Sequence, residues 1–135
     1  MKYLLDTNIV GYLLRGEASN KLKNKLMMLN PEAIFISQIT HAEIIYGLEK
    51  GGNVPKHVDR VNSFLETINI LDWDKQCVHA SAIIRNTLRL QGITVQLMDL
   101  MIGAHALGHN LRLVSNDHIF EHFKQFDLVI ENWQS

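Results

Sequence analysis

The hydrophobic positions of this chain form short apolar runs that alternate with longer stretches of helical periodicity. The short runs consist almost entirely of aliphatic and aromatic residues, which is typical of strands buried on both faces of a sheet. Their alternation with helices predicts an α/β fold, in which a central parallel sheet of about five strands carries helices on both faces in three layers. The predicted strands cover residues 3–5, 33–36, 68–71, 111–114 and 128–130.

Between these runs, apolar residues recur every three or four positions, which predicts amphipathic helices. Residues 97–107 are apolar nearly all round and therefore predict a buried helix. Thr40 is a candidate N-cap for the helix after the second strand, and Asp72 or Asp74 opens the helix that ends before Gly92. The remaining predicted helices cover residues 9–14, 20–29, 55–67 and 118–123.

Length and composition set the class of protein. The sequence of 135 residues suits one domain, residues 1–135, with a core that needs no disulfide. The single cysteine, Cys77, favours a reducing compartment. No secretory leader is expected, because the apolar stretch after Lys2 covers only residues 3–5. No membrane span is expected either, because the longest later apolar stretch, residues 95–107, contains several polar groups. We therefore expect a cytoplasmic protein.

Four acidic residues stand out by position. Asp6 follows the first strand, Glu43 shares a face of its helix with apolar side chains, and Asp99 lies in the first turn of the buried helix. Asp117 follows the fourth strand, as the end of the run Ser115-Asn116-Asp117. In an open parallel sheet these positions can meet beyond the carboxyl ends of the strands. Clustered carboxylates repel one another unless a cation lies between them, and all-oxygen ligands favour Mg²⁺ or Mn²⁺.

Each of these residues also has an ordinary structural interpretation. Asp6 can cap the helix that follows it, and Asp99 can be a favourable acid at a helix N-terminus. Glu43 can be a surface glutamate. His105, opposite Asp99 on the buried helix, is interpreted as a core histidine. The residues alone leave the interpretations of Asp6 and Glu43 open.

The charge balance gives no global signature of a nucleic-acid-binding protein, because the formal net charge is −1. RNA contact would have to be local. Arg85 and Arg89, four positions apart on one helix, form a small basic ridge, and Lys21 and Lys25 lie on another helix. An ordinary solvated surface is the favoured interpretation of all four residues.

Several motifs together resemble the PIN-domain ribonuclease toxins of the VapC type, in the same order and over essentially the whole chain. The resemblance implies a PIN-like fold and an acidic tetrad at Asp6, Glu43, Asp99 and Asp117. It further assigns supporting polar roles to Asn8, Ser37 and Ser115. The motifs are Leu5-Asp6-Thr7-Asn8, Ala42-Glu43-Ile44 with Tyr46-Gly47, Asp99-Leu100 followed by residues 102–107, Leu113-Val114-Ser115-Asn116-Asp117, and Glu131-Asn132-Trp133.

The resemblance also implies a function. Such proteins are Mg²⁺- or Mn²⁺-dependent endoribonucleases, usually homodimers, that cut structured RNA such as tRNA. Asp6 and Asp99 would be the direct metal ligands, with Glu43 and Asp117 beside them. The expected partner is a small VapB-type antitoxin whose C-terminal segment fills the catalytic groove. The loop before the third acid, residues 92–96, departs from the Gly-x-Pro-Ile-Gly pattern common in the family.

Two other functions fit parts of the sequence. A haloacid-dehalogenase-like phosphatase would use Asp6 as its covalent nucleophile and Ser37 to bind phosphate. That family needs a second acid two residues after the nucleophile, and Asn8 occupies the position. A module that binds RNA or protein without cutting would not require the intact set of acids.

Overall fold

The computed structural model describes residues 1–135. Its five strands form one sheet in the order β3-β2-β1-β4-β5, and every neighbouring pair is parallel. The predicted parallel sheet of five strands is therefore confirmed. The strands are β1 Tyr3–Leu5, β2 Ile34–Ser37, β3 Asn69–Leu71, β4 Arg112–Val114 and β5 Ile130–Glu131.

The helices lie close to their predicted positions, with one correction at a cap. The helix after β2 starts at Gln38, and its N-cap is Ser37, whose Oγ accepts a hydrogen bond of 3.0 Å from the amide of Ile39. Thr40 is not the cap, because it lies inside the first turn and is fully buried. The α-helices are α1 Thr7–Arg15, α2 Asn20–Met28, α3 Gln38–Lys50, α4 Pro55–Thr67, α5 Lys75–Leu90 and α6 Leu97–Gly108.

The C-terminal region differs from the sequence prediction in two respects. The helix predicted at residues 118–123 is a 3₁₀ helix, His118–Phe126. The last strand begins two residues later and ends one residue later than predicted, after a turn at Asp127 with a φ of 67°. Leu128 is buried in the core beside the sheet without belonging to a strand.

The sheet is covered on both faces, since successive strand residues point to opposite cores. Leu4 and Leu113 pack on one side with α5, α6 and the 3₁₀ helix. Leu5 and Val114, their chain neighbours, pack on the other side with α1, α2 and α4. The structure contains no helix with the length and apolar character needed to cross a membrane.

The strand order reverses direction at β1. The chain moves outward from β1 through β2 to β3, and β4 then returns to the other side of β1. The carboxyl ends of β1 and β4 therefore form the crevice at which open α/β sheets bind ligands. Asp6 and Ser115 are the first residues beyond these two strand ends.

Candidate active site

A small polar pocket of about 210 Å³ lies at the crevice between β1 and β4. No hydrophobic residue lines it, and all four acids singled out in the sequence do. The structure therefore brings together side chains from α3, α6 and the segments after β1 and β4. The lining residues are Asp6, Thr7, Asn8, Glu43, Gln96, Asp99 and Asp117.

Asp6 is held at both carboxylate oxygens. Its Oδ1 accepts a bond of 2.9 Å from the amide of Ile9 and so caps α1, and its Oδ2 accepts one of 2.5 Å from the hydroxyl of Ser115. Each oxygen keeps a lone pair that can face the pocket. Asp6 thus serves as a helix cap and lines the pocket at the same time.

Burial dominates the electrostatics of Asp6, which is only 3% exposed. Burial, with smaller contributions from the charges of Asp117 and Asp99, raises the pKa of this carboxyl to about 6, against the two hydrogen bonds that lower it. Burial also raises the pKa of Asp99, with Asp117 and then Glu43 as the next causes. The carboxylates therefore interact electrostatically across the pocket.

Ser115 links Asp6 to Asp117. The Ser115 hydroxyl that donates to Asp6 also accepts a bond of 3.0 Å from the amide of Asp117. Asp117 in turn caps the 3₁₀ helix, because its Oδ1 accepts a bond of 3.0 Å from the amide of Ile119. One hydroxyl therefore fixes the positions of two acids that follow neighbouring strands.

Glu43 is positioned by two threonines that sequence reasoning did not assign to the site. Thr7 Oγ1 donates a bond of 2.8 Å to Glu43 Oε1 and lies 3.0 Å from Thr40 Oγ1. Because Thr7 gives its only hydroxyl hydrogen to Glu43, Thr40 must be the donor in the second bond. The adjacency of Thr7 to Asp6 was a signal for its role, whereas Thr40 is separated from both in the sequence.

Asn8 and Ser37, the other two predicted supporting residues, lie in different places. Asn8 is exposed at the rim of the pocket. Gln96, which sequence reasoning did not identify, also lines the pocket, from just before α6. Ser37 makes no hydrogen bond to any of the four acids. Its hydroxyl lies 2.8 Å from Nδ1 of the buried His105, in addition to capping α3.

The pocket suits a divalent cation. The salt bridges of the molecule all lie elsewhere, so no lysine, arginine or histidine balances the four carboxylates. The only group of three or more ligand-type side chains whose atoms all lie within 4.8 Å of one another is Cys77, His105 and His109. No three of the acids meet this distance, so a divalent ion held by them would keep several waters.

The basic residues predicted to contact RNA lie in two regions. Lys21 is engaged with the C-terminal segment, since its Nζ donates bonds of 2.8 and 3.1 Å to the main-chain oxygens of Asn132 and Ser135. Lys25 is exposed on the same helix. Arg85 and Arg89 line a larger groove of about 590 Å³. This groove reaches Leu97 and Leu100, so it adjoins the turn of α6 that carries Asp99.

Comparison with known proteins identifies the family. Residues 3–125 match the PIN domain family, and the chain belongs to it. Ribonuclease VapC2 of Rickettsia felis is 31% identical over 134 residues, which are 98% of each chain. The tRNA(fMet)-specific endonuclease VapC of Shigella flexneri is 31% identical over 117 residues, or 87% of each chain.

A solved structure agrees with these sequence matches. VapBC2 of Rickettsia felis, bound to a DNA fragment from its promoter, contains a chain that superposes with a TM-score of 0.88 at 30% identity, covering 98% of this chain and 99% of that chain. The predicted PIN-like fold and the resemblance to VapC-type toxins are confirmed. The activity that follows from them is that of an endoribonuclease.

The raised pKa of Asp6 predicts a pH dependence of stability. Between about pH 4 and pH 6 the folded metal-free protein retains a proton on Asp6 that the unfolded chain has released, so stability falls as pH rises through this window. The shift from 3.8 to about 6 corresponds to roughly 3 kcal/mol. Urea unfolding in EDTA at pH 4 and pH 7 measures the effect. Between these two pH values, wild type should lose this much free energy of unfolding relative to Asp6→Asn. The same pH dependence of stability in both proteins would contradict the prediction.

Proposed function

We propose that this chain is the RNA-cleaving toxin of a toxin–antitoxin pair and that it hydrolyses phosphodiester bonds with a divalent ion, Mg²⁺ or Mn²⁺. Asp6 and Asp99 would be its direct ligands, with Glu43 and Asp117 completing the site. The observation that carries this proposal is the convergence of four carboxylates without a countercharge at the crevice between β1 and β4. A bound divalent ion lowers the pKa of a water ligand and neutralises charge on the phosphate.

The side chains of this protein supply position and order. Ser115 and the amide of Ile9 fix both oxygens of Asp6, and Thr7 fixes Glu43. The carboxylates are thus held in place before RNA arrives, so little rearrangement is needed during the reaction. Asn8 and Gln96 at the pocket offer amide groups that can hydrogen-bond the sugar or phosphate of the bound strand.

The substrate that we propose is structured RNA such as tRNA, in line with the tRNA(fMet)-specific relative. Arg85 and Arg89 are suitably placed to hold the RNA backbone, because their groove adjoins the first turn of α6. Lys21 and Lys25 are weaker candidates, since Lys21 already bonds the C-terminal segment. We place the protein in the cytoplasm, where this substrate occurs.

The proposed partners are a VapB-type antitoxin and a second copy of the chain. The antitoxin assignment is supported by the VapBC2 complex that this chain resembles. The groove beside Arg85 exposes apolar side chains, among them Leu97. An exposed apolar surface of this kind is typical of a site that binds another protein chain. Light scattering of the purified toxin, alone and with the product of a neighbouring small reading frame, tests both partners.

The phosphatase alternative is less well supported. The position two residues after Asp6, where that family needs a second acid, holds Asn8. Ser37, the hydroxyl assigned to phosphate binding, is fully buried and bonds His105. A stable aspartyl-phosphate on Asp6 after treatment with a phosphate monoester would favour the phosphatase.

The chemistry of the cut ends tests the proposed reaction. Attack by water should leave a 5′-phosphate and a 3′-hydroxyl, whereas attack by the ribose 2′-hydroxyl leaves a cyclic phosphate and a 5′-hydroxyl. Cleavage of total cellular RNA should stop in EDTA and return with added Mg²⁺ or Mn²⁺. Sequencing after adaptor ligation that requires a 5′-phosphate identifies the ends and the sites. Cleavage that is indifferent to EDTA, or cyclic-phosphate products, would refute the proposal.

A further inference from the structure

A second cluster of metal-binding side chains lies away from the acidic pocket, between the start of α5 and the end of α6. The ligand atoms of Cys77, His105 and His109 all lie within 4.8 Å of one another. His105 and His109 are four residues apart, so their rings share one face of α6. Cys77 reaches the same point from the first turn of α5.

The cluster contains a buried nitrogen with no hydrogen-bond partner, Nε2 of His105, in a side chain that is fully buried. Nε2 of His109 makes no well-aligned hydrogen bond either, but it lies 2.8 Å from Oδ2 of Asp74. Buried polar atoms are nearly always hydrogen-bonded, so the unpaired nitrogen of His105 requires an explanation. A metal ion that accepts its lone pair supplies it.

A fourth ligand is available from Asp74. Its Oδ1 caps α5 through the amide of Cys77, while its Oδ2 lies 2.8 Å from His109 Nε2. Those two atoms are within ion-pair distance of each other, so a shared ion would have to replace this direct contact by binding both atoms.

We propose that Cys77, His105, His109 and Asp74 form a zinc site that joins the start of α5 to the end of α6. One thiolate, two imidazoles and one carboxylate are ligands that Zn²⁺ prefers, and four of them close a tetrahedral structural site. Such ligands lie roughly 3.3–3.8 Å apart at normal zinc bond lengths. Small side-chain rotations therefore suffice for Cys77, His105 and His109, whereas Asp74, which lies outside the 4.8 Å group, has to turn further. The thiolate and carboxylate charges balance the ion.

The surroundings of His105 and Cys77 suit this role. When His105 Nδ1 carries the ring hydrogen it donates to Ser37 Oγ, which orients the ring and leaves the Nε2 lone pair toward the cluster. Zinc binding forms the Zn–S bond by releasing the thiol proton of Cys77 to solvent.

Cobalt substitution provides the most direct test on the full chain. Co²⁺ added to the reduced, metal-free wild type should give intense visible bands of tetrahedral geometry and a near-ultraviolet band from thiolate to cobalt. Cys77 is the only cysteine, so any thiolate band must arise from it. Added Zn²⁺ should abolish both signals. Cobalt bound without a thiolate band would overturn the proposal.

Matched variants separate this site from the acidic pocket. Wild type and Asp99→Asn should each bind one zinc that Cys77→Ser and His109→Gln do not bind, as measured by metal analysis after gel filtration. His79→Gln is the control, because His79 is exposed on α5 outside the cluster. At 100 times Kd, zinc should raise the wild-type Tm by roughly 5–15 °C. Equal zinc content in Cys77→Ser and wild type would refute the site. If a variant does not fold, the wild-type cobalt spectrum decides.

Discussion

Asp6→Asn is expected to lower RNA cleavage by about 100-fold or more while making the metal-free protein more stable at pH 7. Removing a metal-binding carboxylate raises the activation free energy by several kcal/mol, because the ion stabilises the transition state less well. Stability should rise because the ionised Asp6 is buried at pH 7 and lies near two other acids. The gain should not exceed about 3 kcal/mol, the value of its pKa shift.

The asparagine is suited to this experiment because it can preserve both hydrogen bonds. Its Oδ1 can still accept from the amide of Ile9, and its Nδ2 can donate to Ser115 Oγ. Cleavage is measured with a fluorescent tRNA transcript in Mg²⁺, and stability by urea unfolding in EDTA. Glu49→Gln, an exposed acid on α3, is the matched control and should change neither. Cleavage by Asp6→Asn within a few-fold of wild type would remove Asp6 from the site.

The sequence analysis treated helix capping and metal binding as alternative roles for Asp6. In the structure the two roles are compatible, because Asp6 caps α1 and also lines the acidic pocket. A carboxylate has two oxygens, so one can cap α1 while the other meets Ser115 and both retain lone pairs for the pocket. The same holds for Asp117, which caps the 3₁₀ helix and lines the pocket. Capping signals at strand ends therefore do not exclude a functional role.

The acids could be predicted from the sequence because each follows a strand or interrupts an apolar face. Thr40 could not be assigned, since its role depends on α3 lying beside Thr7, which is 33 residues away in the chain. Ser37 was placed with the acids by resemblance, but its hydroxyl bonds His105. Contacts between distant residues follow from packing, which local patterns do not encode.

The cluster of Cys77, His105 and His109 illustrates the same limit. Sequence reasoning overlooked the four-residue spacing of the two histidines, which places them on one face, and Cys77 enters only through the packing of α5 on α6. His105 was interpreted as a core histidine, and it is fully buried. Its unpaired nitrogen, which makes the cluster informative, could be found only from the structure.

The contact between Phe123 and Gly103 gives the largest expected effect on stability. Phe123 is fully buried in the 3₁₀ helix and packs against α6 so closely that a Cβ built on Gly103 would lie 2.4 Å from its ring. Phe123→Ala should cost about 3–5 kcal/mol, because a large cavity opens in the core. That is a large share of the roughly 5–15 kcal/mol that holds a domain together. Urea unfolding measures it, and Phe126→Ala, at a half-buried ring, should cost less.

Gly103→Ala should change sign between two backgrounds, and this tests the contact itself. In wild type the added methyl group meets the ring of Phe123 and should destabilise the protein by about 1–3 kcal/mol. In the Phe123→Ala background the obstacle is gone, so the methyl group fills part of the cavity and the helix gains up to about 1 kcal/mol from replacing glycine. The double variant should therefore be more stable than Phe123→Ala alone.

Gly47→Ala, in α3 with no atom within 4 Å of its added Cβ, should have the same effect in both backgrounds. Additive effects of Gly103→Ala and Phe123→Ala would show that the ring does not press on α6.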